Sequence, residues 1–383
     1  MTLGLRSVAL LATLLAAPVF AQTDLGEKAL DAAQAEQRGF DYWLGRGVVR
    51  DRAQAVRWLE QAATAGRPQA AGLLADLYAR GDGVEANAER TRELDLQAAP
   101  QGVSQSQMRL GYSAMYPRDP ATRDPAAALP WLKASAEQEH PMALYLLGQL
   151  YFSGQGGVEA DAELGWKLYT RAAELGYAPA SAEAGRHLLV DDAAADDVQR
   201  GLYFLNKSAS SGYAPGEYYL AKVYLAGRHV TLDGSAAAQW LTRASERDYG
   251  PATFWLAELY AKGLGVEADP ARAAELRQKV LPTMPVGVRN GFAWELAVSP
   301  TAELRDGAFA VEIMEGVTAE RPSPAYIDTL AAAYAEAGRF EDAVREQQRA
   351  IDALERDAPP ETRDVFLERL DLYRSSQPYR EAL

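Results

Sequence analysis

Few residues in this chain could do chemistry. There are three histidines and no cysteine in 383 residues, which excludes disulfides, thiolate metal sites, a cysteine nucleophile and a lipid-modified N-terminal cysteine. His140, His187 and His229 stand far apart with no carboxylate at metal spacing beside them, whereas zinc usually takes three or four protein ligands. Asp191, Asp192, Asp196 and Asp197 offer the oxygen ligands that calcium prefers, but they lack the D-x-D-x-D-G spacing of a calcium loop and read as a solvated insertion. Gly154, Gly156 and Gly157 have the glycine density of a phosphate loop. No Lys-Ser/Thr follows them, so they are expected to serve turns that need positive φ. G-x-S-x-G, S-x-x-K and H-E-x-x-H are all missing. No catalytic residue, metal or cofactor is expected, and the chain does not read as an enzyme.

What the chain does hold must therefore lie in its surfaces and in the elements that position them. A formal net charge of −14, from 53 acidic and 39 basic residues, repels phosphate backbones and anionic membrane surfaces, so nucleic acid is excluded as a partner. With 48% hydrophobic and 24% charged residues the composition is that of a folded protein. The first segment reads as an address. Arg6 precedes an apolar run from Val8 to Phe20, broken only by Thr13 and Pro18, and Val19 and Ala21 occupy the small-residue places of a cleavage site before Gln22. Residues 1–21 are thus expected to be a signal peptide cut after Ala21, with a periplasmic or secreted mature chain. The alternative, an uncleaved anchor, would need about 20 apolar residues. No later window approaches that length, so no transmembrane span is expected in the mature chain.

A fixed period organises the rest. The segments Leu73–Val84, Leu146–Val158 and Trp255–Val266 share a Leu, a small residue, a Tyr and a Gly-rich turn, and second halves such as Ala55–Gly66, Gly165–Gly176 and Gly201–Gly212 alternate with segments of this kind along the chain. One column falls on Ala63, Ala99, Ala136, Ala173, Ala209 and Ser245, in steps of 36 or 37 residues. Apolar residues recur at three and four within each half, and Gly or Pro separates the halves, so each unit reads as two antiparallel helices. A small-residue column (Ala75, Gly111, Gly148, Gly185, Ala221, Ala257) would let the partner helix approach closely. Tyr78, Tyr151, Tyr224 and Tyr260 would pack across it, and Trp58, Trp131, Phe204 and Trp240 would fill the matching place on the second helix.

These columns resemble the Sel1-like repeat, a relative of the tetratricopeptide repeat, over about seven units from Ala32 to Leu281. Two units depart from the pattern. Tyr116–Pro125 replaces the turn of the third, and in the fifth Val190–Gln199 replaces the Gly-rich turn and His187 stands where other units are apolar, so that unit's first helix is expected to be shorter or shifted. Beyond it, Leu330, Ala331, Tyr334, Ala343 and Ala350 match tetratricopeptide spacing with Gly338 in the turn, and Glu361–Tyr373 reads as a final polar helix covering the last apolar face. The expected fold is all-α, a right-handed α-α superhelical solenoid of Sel1-like and tetratricopeptide-like helix pairs. Its expected parts are the signal segment 1–21, a Sel1-like array over 22–281 and a tetratricopeptide-like region with a capping helix over 282–383.

The resemblance implies a binding groove. In the tetratricopeptide family the second, fifth, ninth, twelfth and thirteenth places of each first helix face a ligand on the concave side. Here those places include Met108, Tyr112, Met115, Tyr116, Met142, Tyr145, Gln149, Phe152, Tyr218, Lys222, Leu225, Phe254, Glu258 and Lys262. Aromatic and Met side chains supply contact area at low entropy cost. The alternative is that the fifth-place side chains pack against the neighbouring helix. The implied function is that of an exported, non-enzymatic repeat protein binding a protein or peptide through its concave face. Two other readings are a scaffold of an envelope or exopolysaccharide assembly, and a hydrolase acting on cell-wall peptides or β-lactams. The hydrolase reading fails at its most visible feature, because such relatives are cysteine-rich.

Overall fold

The computed structural model describes residues 31–190, 193–354 and 359–381. The signal-like segment 1–21, together with Asp191 and Asp192, lies outside the described residues. Among the described residues there are nineteen α-helices and no strand, as expected of an all-α solenoid. The chain divides into two compact units, with the boundary between Leu110 and Gly111. The first contains α1 (Ala32–Leu44), α2 (Arg52–Thr64), α3 (Pro68–Arg80), α4 (Ala88–Ala98) and the start of α5 (Ser104–Met115). The second contains α6 (Pro125–Ala136), α7 (Pro141–Ser153), α8 (Ala162–Glu174), α9 (Ala178–Leu188), α10 (Ala195–Ser210), α11 (Ala214–Ala226), α12 (Gly234–Ser245), α13 (Gly250–Lys262) and α14 (Pro270–Val280). It continues through α15 (Val286–Val298), α16 (Gly307–Glu320), α17 (Pro324–Glu336), α18 (Phe340–Asp352) and α19 (Pro360–Arg374).

The same local chemistry builds each pair. First helices open with Pro at the first or second position, as at Pro68, Pro141, Pro179, Pro215 and Pro251, where the missing N–H has no helical partner to lose. They close on a left-handed glycine, Gly45, Gly81, Gly154, Gly227 or Gly263. Second helices open on an Asp or Asn whose side chain accepts the N–H three residues on: Asp51 from Gln54, Asn87 from Arg90, Asp161 from Leu164, Asp233 from Ala236 and Asp269 from Arg272. The backbone N–H of the same cap donates back to a tyrosine carbonyl of the preceding helix, in turn Tyr42, Tyr78, Tyr151, Tyr224 and Tyr260. This cap closes the turn and fixes the angle between the two helices.

The small-residue column works as expected. A Cβ on Gly111 would lie 2.5 Å from the Leu132 side chain, and one on Gly148 would lie 2.7 Å from the Tyr169 ring. The side chain that enters the space is not the aromatic column of Trp58, Trp131 and Phe204. It is the residue after it, as with Leu59 against Gly39, Leu132 against Gly111 and Leu205 against Gly185, because the next position points one-quarter turn further into the pair.

Both departing units keep their helices by other means. In the third, Asp119 caps a 3₁₀ turn at Pro120–Thr122, Asp124 caps α6, and the Arg123 guanidinium donates to the Met115 carbonyl at 3.1 Å. In the fifth, α9 stops at Leu188 after 11 residues where α7 and α11 have 13. No glycine closes it, and Ala194 gives α10 no side-chain cap. His187 is accommodated by stacking flat on Trp166, with ring centroids 3.6 Å apart.

Candidate functional site

The expected site residues fall into a buried group and a more accessible one. At the fifth places, Met108, Tyr218 and Phe254 are buried and Tyr145 is half-buried. Phe254 stacks on Phe292 at 4.2 Å and Tyr145 on Tyr169 at 4.5 Å. These side chains pack against neighbouring helices, the alternative that the sequence left open. Met115 and Leu225 are also buried. Glu258 is fully enclosed and takes two hydrogen bonds from Arg277, each 2.8 Å. Burial raises its pKa and Arg277 opposes that rise. In the isolated chain Met108, Met115, Tyr218, Leu225, Phe254 and Glu258 are therefore core rather than surface.

The remaining expected site residues are more accessible. Tyr112 and Tyr116 are exposed, with rings 5.2 Å apart, and the Tyr116 hydroxyl donates to Gln149 Oε1 at 2.6 Å. Met142, Gln149, Phe152, Lys222 and Lys262 are half-buried. Phe152 meets Trp166 edge-on at 4.8 Å. Lys222 lies 3.9 Å over the Trp255 ring and is ion-paired with Glu295, and Lys262 Nζ donates to the Leu304 carbonyl at 2.7 Å.

A second column joins these residues, and the residue-by-residue transfer from the family did not reach it. Tyr177, Tyr213 and Tyr249 stand immediately before α9, α11 and α13, at a spacing of 36 residues. The recurring "GYAP" at Gly176 and Gly212 was the available signal. Tyr177 lies 5.3 Å from Tyr145, and Tyr218 lies 5.5 Å from Tyr249. With Tyr112, Tyr116, Tyr145 and Tyr219 they form a tyrosine shelf along the first-helix side of the second unit. Glu183 and Arg186, paired at 2.9 Å, lie on the same side, with the Arg186 guanidinium 5.8 Å over the Tyr219 ring. Burial raises the hydroxyl pKa values of Tyr145, Tyr213, Tyr219 and Tyr249. Burial, then the neighbouring phenols Tyr145 and Tyr213, pushes Tyr177 up to about 12. These five phenols are uncharged at neutral pH, and the shelf is amphipathic, with ring faces for apolar contact and hydroxyls for hydrogen bonds. Among the described residues no group of three or more His, Asp or Glu could hold a metal ion, and no helix is long and apolar enough to cross a membrane.

The Sel1 repeat model matches residues 38–66, 68–103, 104–140, 141–177, 214–249 and 250–279, more than half of the chain. The chain belongs to the Sel1 repeat family. Sel1 repeat proteins are typically protein-interaction scaffolds, and their fold is generally non-catalytic. The match skips residues 178–213, the stretch that lost its glycine and its cap, yet α9 and α10 still form a helix pair there. A solved structure of a protective antigen present in uropathogenic Escherichia coli strains, with an SLR fold, is 26% identical with a TM-score of 0.56. The alignment covers 88% of this chain and 64% of that one, so this Sel1 protein spans about two-thirds of that antigen's length. A Sel1 repeat protein from Oxalobacter formigenes is 28% identical over 66% of this chain and 74% of its own, with a TM-score of 0.49. An immunity protein from Pseudomonas aeruginosa is 22% identical over 57% of this chain and 84% of its own, with a TM-score of 0.35.

Proposed function

We propose that this Sel1 protein is an exported, non-enzymatic binding protein that holds a protein or peptide partner on the tyrosine shelf of its second unit. The observation that carries this reading is the shelf itself. Seven tyrosines from five successive first helices and their leading turns share one side, and Tyr112 and Tyr116 at one end of it are solvent-exposed. Tyrosine is a preferred interface residue because a large rigid ring costs little entropy to hold and its hydroxyl adapts to a partner's polar groups. Export rests on the pattern of residues 1–21, and the non-catalytic character on the scarcity of histidine, the lack of cysteine and the family's habit.

The test is affinity capture from a cell-envelope extract followed by mass spectrometry. Three baits are used: the wild-type chain, the double variant Tyr112→Asp/Tyr116→Asp, and Tyr203→Asp on the second helix α10. Tyr112, Tyr116 and Tyr203 are exposed, so the variants are expected to fold. A partner should be retained by the wild-type chain and by Tyr203→Asp, and lost by the double variant. An identical set of captured proteins with all three baits would remove the shelf from the account.

A further inference from the structure

Beyond α19 the chain leaves the helical pattern. Residues 377–381 run as an extended tail against α15, α17 and α19, and three kinds of contact hold it. The Tyr379 ring lies 5.9 Å from Trp294, and the Arg369 guanidinium sits 4.7 Å from the centroid of each of these rings. Arg380 is ion-paired with Glu336, and its guanidinium also donates to the Ala297 carbonyl at 3.4 Å. The Glu381 N–H donates to the Val298 carbonyl at 3.1 Å, at the end of α15, where carbonyls have no partner within the helix. A side-chain pocket, a charge pair and a backbone hydrogen bond are the means by which a groove reads an extended peptide.

The residues that receive the tail do not depend on it for their charge balance. Glu336 also pairs with Arg305 at 3.0 Å, and Arg369 with Asp328, so lifting the tail leaves neither charge alone. Gln377 and Glu381 are exposed, and Pro378, Tyr379 and Arg380 are half-buried, a degree of burial at which a segment opens locally at low cost. The link from α19 passes through Ser376 at φ 56°, a left-handed conformation that suits glycine better than serine. Past Glu381 the groove runs on along Ser299, Thr301 and Lys222, so a segment longer than residues 377–381 has further surface to use.

We infer that the face of α15, α17 and α19 under the tail is a docking groove for an extended segment of a partner protein carrying an aromatic residue followed by arginine, and that the chain's own tail occupies it as a competitor. The partner's ring takes the place of Tyr379 against Trp294 and Arg369, and its arginine takes that of Arg380 at Glu336. The charge sense is the one the tail itself displays, a cation brought to a carboxylate on a chain whose formal net charge is −14. Because the tail is tethered, its effective concentration is high, and a partner must outcompete it or gain from the further length of the groove. The groove shares no residue with the tyrosine shelf, so either reading can fail alone.

The test is fluorescence anisotropy with a labelled peptide of residues Ser375–Glu381, blocked at both ends, and the full chain as wild type and as Tyr379→Ala/Arg380→Ala. The double variant disarms the tail and leaves the groove residues intact. It should bind the peptide about tenfold or more tightly than the wild type, whose own tail competes. On the double variant, a peptide with alanine in place of the tyrosine, or with glutamate in place of the arginine, should bind about tenfold or more weakly, the loss of one good anchor. Equal binding of the peptide to the two proteins, no binding to the double variant, or equal binding of the glutamate peptide would overturn the groove. So would a double variant that loses its far-ultraviolet helical signal, because the tail would then belong to the core rather than act as a ligand. None of these readouts uses a captured partner, so the shelf is left to its own test.

Discussion

Two glycines on helices show how one residue type acts in opposite directions. Gly148 of α7 faces Tyr169, where an added Cβ would come within 2.7 Å of the ring and 3.2 Å of the Gly165 carbonyl. Gly316 of α16 is exposed and has nothing within 4 Å. Gly148→Val should therefore cost about 1–3 kcal/mol through overpacking, while Gly316→Ala should gain about 0.5–1 kcal/mol because glycine is a poor helix former. Urea denaturation of the two variants checks both signs. The tyrosines give a second expectation at this scale. Their folded pKa values lie above the ordinary value of 10, with Tyr177 at about 12. The folded state therefore binds protons that the unfolded chain has released, and this stabilisation is complete below pH 10 and is lost as pH rises from there through about 12. Stability measured by urea at fixed pH should fall steeply across that window, and less steeply in Tyr177→Phe. An equal slope in the two proteins would contradict the assigned burial.

At the scale of the element, the recurring device is the Asp or Asn that caps α2, α4, α8, α12 and α14 and whose N–H donates to a tyrosine carbonyl. Asp161→Ala should cost about 1 kcal/mol, a usual value for a lost cap. The opposite change is available at α10, where Ala194 is extended at φ −62° and ψ 151°, close to the φ −65° and ψ 166° of the capping Asp31 at α1. Both backbones suit a capping side chain. Ala194→Ser should slow amide exchange at 195–198 and raise stability by about 0.5–1 kcal/mol; unchanged exchange there would mean that the serine does not cap α10. The cap pattern was legible in the sequence because each capping residue recurs with the repeat. The response of the fifth unit was legible only in part. The loss of the glycine turn foretells a shorter α9, but a cavity beside Leu189 and the stacking of His187 on Trp166 depend on side chains 16 to 37 residues away in sequence, which no local pattern joins.

Within the second unit each helix pair is tied mainly to its neighbours, and two of the pairs, α11–α12 and α13–α14, hold a buried charge between their own helices. Glu217 is enclosed and pairs with Arg243 and Arg247, and Glu258 with Arg277. Such a chain derives its stability from successive interfaces rather than from one centre. The repeat period, the small-residue column and the absence of familiar catalytic motifs were all legible in the sequence, because each is a statement about residue type at fixed spacing. Burial was not. Places five and nine of a first helix carry similar residues, Tyr145 and Tyr112 among them, and only the packing of the neighbouring helix decides which becomes core. The shelf column of Tyr177, Tyr213 and Tyr249 escaped for a different reason, since it precedes the helices on which the family's ligand-facing places are counted. The most direct measurement of the shelf's role is hydroxyl-radical footprinting of the full chain with and without its captured partner, read at individual tyrosines. The expected result is protection of Tyr112, Tyr116, Tyr177 and Tyr213 with no change at exposed Tyr203. Protection at Tyr203 with the shelf tyrosines unchanged would contradict the account.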